Sequence, residues 1–188
     1  MNYRIIPSVE FKTVPWKNGK EVTKELFVRY EKDRSEYIFR LSIAGVTEDG
    51  PFSDFSGYDR VLMMLEGNGV TLDHSDGSVN EIKNYADIAM FSGDLKTKAS
   101  LKDGPIKDFN VMTLRGVCRS EIIAINGEAV FTENDGELFV LCCGDFVHVE
   151  SGERKVSIEH YHLLHITEII SGAIRVKGDA IAVMIIHQ

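Results

Sequence analysis

The chain has 188 residues, with 21 Lys and Arg against 29 Asp and Glu, for a formal net charge of -8. Hydrophobic residues make up 44% and charged residues 27%, a balance that suits a folded globular chain and excludes a disordered or fibrous one. The acidic surplus excludes broad phosphate-backbone binding, and no apolar run approaches the ~20 residues of a membrane-spanning helix.

The first seven residues, Met1 to Pro7, contain no apolar core of a secretory signal, so the cytoplasm is the expected compartment. The single Trp, Trp16, precedes Lys17-Asn18-Gly19, and Asn-Gly turns a chain tightly. Residues 20–30 read as a strand. Val22, Leu26 and Val28 make an uneven helical stripe, and Thr23 and Val28 are β-branched. Next, Phe39, Leu41 and Ile43 alternate with Arg40, Ser42 and Ala44, the period of two that separates two strand faces. A turn-rich stretch, Gly50-Pro51-Phe52-Ser53-Asp54-Phe55-Ser56-Gly57, leads to Arg60 and the apolar run Val61 to Leu65.

Val70 to Leu72 and the Asp76-Gly77 turn predict a hairpin. His74, beside that turn, is expected to be exposed. Ile88 to Phe91 and Phe109 to Thr113 follow as strands, the latter with Asn110 and Met112 on one face. After Cys118 the pattern repeats in kind: Ile122 to Ile125, the Asn126-Gly127 turn, Ala129 to Phe131, and Leu138 to Cys143. The last strands are expected near residues 163–167, 173–176 and 180–186. Strands at this spacing predict an all-β sandwich or barrel.

Cys118, Cys142 and Cys143 are an odd set without a disulfide spacing and read as free thiols. His160 and His162 would share a strand face, the spacing a metal site on a β-barrel uses, with His187 as a distant third ligand. A metal-dependent enzyme built on these three is therefore one alternative. A barrel filled by its own side chains, serving structure or interaction, is another. Arg40 and Arg60 suggest a third, because converging guanidinium groups suit a carboxylate.

Several segments carry a resemblance. They are Trp16 to Leu26, Phe39 to Ala44, Asp49 to Arg60, Leu65 to Gly69, Phe91 to Asp94 and Gly104 to Thr113. In order and spacing they resemble the HutD/Ves family of bicupins over about residues 10–116. The resemblance implies two RmlC-like jelly-roll cupin β-barrels packed in one chain, divided at 1–116 and 117–188. It implies a ligand pocket in the first, no established enzymatic reaction, no metal and no cofactor. The implied partner is a small carboxylate metabolite, formylglutamate-like, with a role in moderating histidine utilisation. No nucleic acid or membrane is expected, and a homodimer is left open.

The resemblance assigns the pocket residue by residue. Arg40 and Arg60 would hold the anion. Asn18, Ser42 and Asn110 would read a polar or formyl group, and Thr23 and Ser53 are matched pocket positions. Trp16, Phe52, Phe55 and Met112 would form the apolar wall. The chain departs from the family pattern at Lys20-Glu21, where Gly-Gly is usual, at Phe39, where Trp is usual, and at Leu114-Arg115, where two Arg are usual.

Overall fold

The structure is a computed structural model that describes residues 1–15, 22–31, 36–132, 136–168 and 172–188. Short runs of alternating or continuous apolar residues, cut by Gly and Asp turns, become antiparallel strands. In chain order these are β1 (Asn2–Ile6), β2 (Lys12–Pro15), β3 (Val22–Tyr30), β4 (Tyr37–Val46), β5 (Gly50–Pro51) and β6 (Tyr58–Glu66). There follow β7 (Val70–His74), β8 (Val79–Ile82), β9 (Ile88–Ser92), β10 (Thr97–Leu101) and β11 (Ile106–Leu114). The rest are β12 (Cys118–Ile125), β13 (Glu128–Phe131), β14 (Gly136–Cys142), β15 (Phe146–Ser151), β16 (Arg154–Glu159), β17 (Leu163–Glu168), β18 (Ile174–Lys177) and β19 (Ala180–His187). No α-helix occurs among the described residues, and no helix there is long and apolar enough to cross a membrane.

Two compact units emerge. One spans Lys12–Val117, and the other combines Met1–Phe11 with Cys118–Gln188. The expected division at 116/117 is therefore corrected at the N-terminus. β1 pairs antiparallel with β17, from Asn2 opposite Glu168 to Ile6 opposite Leu163, which carries the first residues into the C-terminal unit. Such a ladder closes over a long sequence separation, and no local signal in residues 1–11 announces it.

In the unit of residues 12–117, a six-stranded sheet of order β2-β3-β4-β11-β6-β9 accompanies a four-stranded sheet of order β5-β10-β7-β8. Val46, Leu62 and Met64 from the larger sheet pack with Val70, Leu72, Ile82 and Ala99 from the smaller. The second unit repeats the plan, with β1-β17-β14-β19-β12 and β13-β18-β15-β16. Its core joins Leu138, Val140 and Met184 to Val147, Ile158 and Val176. Burying the inner faces of paired sheets is what alternation demands, since each apolar face must leave water.

Candidate functional site

β11 lies between β4 and β6, and its register brings the two arginines together. Met112 stands opposite Arg40 on one side and opposite Arg60 on the other. Asn110 stands between Ser42 and Leu62, and Asp108 between Ala44 and Met64. Directly opposed residues in an antiparallel sheet share a face, so these side chains form successive rows on one surface. β3 adds Thr23 opposite Ala44 and Glu25 opposite Ser42.

A cavity of about 510 Å³ opens over this face. Nine residues expected from the sequence line it: Thr23, Arg40, Ser42, Phe52, Ser53, Phe55, Arg60, Asn110 and Met112. The other two, Trp16 and Asn18, lie outside the described residues. Sequence reasoning missed four acidic residues in the lining, Glu25, Glu48, Asp49 and Asp108. Asp108 was legible, because it shares the period of two with Asn110 and Met112. Glu25 was legible in the same way, because it lies two residues from Thr23, ahead of the register shift that separates it from Phe27.

The loop after β5 closes over the sheet. The Phe52 amide donates to the Thr97 carbonyl at 2.8 Å, and the Phe55 amide to the Gly93 carbonyl at 3.3 Å. Phe55 also packs on the cluster of Tyr58, Met112 and Leu114. Its ring receives both cations, with the guanidinium carbon of Arg40 at 5.0 Å and that of Arg60 at 5.1 Å. Arg60 lies as well over Phe91 at 4.8 Å and Phe52 at 5.4 Å.

The two arginines differ in their partners. Arg40 donates from Nη2 to the Met112 thioether at 3.2 Å, and its Nη1 lies 3.7 Å from Glu25 Oε1. Arg60 is 6% exposed, and its side-chain Nε has no hydrogen-bond partner among the described residues. Burial pulls its pKa down to about 10; the negative charge of Asp108 opposes the fall and Arg40 adds to it. At neutral pH Arg60 therefore remains a cation, stacked on aromatic rings and without a hydrogen-bonded anion. Burial also raises the Tyr37 phenol, against the pull of Arg40 and Arg60. That phenol donates to Met112 Sδ at 3.3 Å.

The histidines take other places. His160 and His162 do not share a strand face. Residues 160–162 form the turn before β17, with Tyr161 at φ 55°. His160 Nδ1 sits 2.9 Å from the Gly144 carbonyl. His187 lies instead beside Glu137, 3.4 Å from Oε1, and the other oxygen of Glu137 is 2.5 Å from His165 Nε2. Among the described residues no three His, Cys, Asp or Glu side chains gather in a way that could hold a metal. His74 is buried, contrary to expectation. Its ring nitrogens meet Thr97 Oγ1 and Asn80 Oδ1, each at 2.8 Å, because β7 pairs with β10 and β8 on its two sides. None of the three cysteines forms a disulfide among the described residues, and Cys118 and Cys142 are buried.

The HutD family profile matches residues 8–184, which extends the resemblance well past residue 116. The chain belongs to the HutD family. Protein Ves of Escherichia fergusonii is 32% identical over 128 residues, covering 67% of this chain and 66% of Ves. The solved structure of HutD from Pseudomonas fluorescens SBW25, in a formate condition, is 25% identical, with a TM-score of 0.88 over 100% of both chains. The bacterial pirin YhhW from Escherichia coli, solved in complex with nickel(II), is 8% identical, with a TM-score of 0.71 over 99% of each chain. At that identity the likeness to pirin concerns the fold alone. The HutD fold of this chain is all-β and cupin-like.

Proposed function

We propose that this HutD-family chain is a cytoplasmic bicupin, two cupin barrels in sequence, whose N-terminal unit binds a small carboxylate metabolite of the formylglutamate type. Binding moderates histidine utilisation, and the reading assigns no bond made or broken. The observation that carries it is Arg60, a charged guanidinium, 6% exposed, in the cavity wall, whose buried Nε has no hydrogen-bond partner among the described residues. A buried charge is costly unless paired, and a carboxylate is the planar anion that matches a guanidinium fork. Arg40 supplies a second cation across Met112, while Ser42 and Asn110 offer polar contacts for a formamide group, its oxygen and its N–H. The formate condition of the HutD relative fits the same chemistry.

Calorimetric titration with N-formyl-L-glutamate tests the proposal. Saturable binding is expected in the parent, with a loss of about 100-fold in Arg60→Met, since removing one member of a buried charge pair weakens binding by that order. Equal affinity in parent and variant would sink the reading.

A further inference from the structure

Asn110 carries an acceptor that a carboxylate cannot use. Its amide orientation is fixed by its neighbour on the same face: Nδ2 donates to Asp108 Oδ1, and Asp108 is 1% exposed. Turning the amide over would set one oxygen against another, so Oδ1 faces away from Asp108. That oxygen is buried and has no hydrogen-bond partner among the described residues.

Two other buried side-chain atoms share this condition, Arg40 Nε and Arg60 Nε, and all three residues line the same cavity. Two of the atoms are donors and one is an acceptor. Unpaired buried groups of this kind are rare in folded chains, and their clustering in one wall points to a ligand that completes them. A bare carboxylate brings acceptors only. It answers the arginines and leaves Asn110 Oδ1 unpaired, now under a ligand that also shuts out water.

We infer that Asn110 sets the chemical class of the ligand: a carboxylate that also carries an N–H donor, which Oδ1 accepts. The inference rests on the anion-binding reading and narrows it. Asp108 acts through Asn110 as a positioning residue, holding the amide so that its oxygen is presented. A site built to accept a hydrogen bond discriminates against an analogue lacking the donor, because the loss leaves its own polar group unpaired.

The test compares N-acetyl-L-glutamate with 2-acetoxyglutarate, the ester in which oxygen replaces the N–H, by calorimetry on the purified full chain. The parent is expected to bind the amide at least ~10-fold more tightly than the ester. In Asn110→Ala that ratio is expected to fall close to one. If both acids bind the parent equally, the inference is overturned and the anion-binding reading stands. If neither binds, both are overturned. A ratio retained in Asn110→Ala also overturns the assignment to Asn110. Should that variant fail to fold, the ratio in the parent decides.

Discussion

The guanidinium of Arg60 lies 5.1 Å from the centre of the Phe55 ring, and its buried Nε has no hydrogen-bond partner among the described residues. Phe55 also receives Arg40 at 5.0 Å, so one ring serves two like charges. Cation–ring contacts of this kind are each worth about 0.5–2 kcal/mol, more when desolvated. Phe55→Ala removes both and opens the cavity to water, which weakens every charge interaction inside. Affinity for N-formyl-L-glutamate is expected to fall about 10-fold in calorimetry. Unchanged affinity would show that the ring is only a wall.

Gly93 holds Phe55 in place from behind. A Cβ added at Gly93 would stand 2.1 Å from the Phe55 carbonyl oxygen and 2.9 Å from that of Tyr58. Both are backbone atoms, so relief requires the loop to move. Gly93→Ala is expected to cost about 2 kcal/mol or more, by analogy with overpacked cores. Urea unfolding measures that loss, and titration of the folded fraction should show weaker acid binding. Wild-type stability in the variant would mean that the loop yields easily.

Tyr58 gives the protein an alkaline signature. Burial pushes its phenol up to about 12 from the ordinary 10.0, with Tyr37 and Glu36 adding to the rise. Its hydroxyl donates to the Tyr37 carbonyl at 2.7 Å, which also favours the neutral form. Between those two values the unfolded chain has released the proton and the folded chain has kept it. The contribution of Tyr58 to stability is thus fully present below pH 10 and is lost as pH rises toward 12. Following tyrosinate absorbance against pH should show late-titrating groups, one fewer in Tyr58→Phe. A single transition near the ordinary value for every tyrosine would contradict this.

Much of the site was legible before the structure. The alternation of Arg40 and Ser42 with Phe39 and Leu41 marked one face of β4, and that face lines the cavity. Asn110 and Met112 were placed together by the same period. What the alternation could not show is register. Only the ladders of β11 with β4 and β6 put Met112 between Arg40 and Arg60, and pairing partners are set by the whole sheet. The same limit explains His74, read as exposed from its neighbouring turn but buried by cross-strand partners distant in sequence. It explains β1 too, whose place beside β17 depends on the far end of the chain. His160 and His162 failed for a local reason: a period of two has meaning only inside a strand, and these residues form a turn.

Glu25 makes the last prediction, because it competes with any acidic ligand. Its Oε1 lies 3.7 Å from Arg40 Nη1, its Oε2 lies 3.8 Å from Lys12 Nζ, and its side chain is 17% exposed. A carboxylate approaching Arg40 therefore meets a like charge a few ångströms away. At the effective dielectric of a half-buried site, such a repulsion amounts to about 1–3 kcal/mol. Glu25→Gln keeps the shape and removes the charge, so affinity for N-formyl-L-glutamate is expected to rise about 10-fold. The gain should shrink as salt is added, since mobile ions screen the repulsion in the parent. Weaker binding in Glu25→Gln would mean the opposite role. Glu25 would then hold Arg40 in its binding pose, and the loss of that support would outweigh the relief of charge.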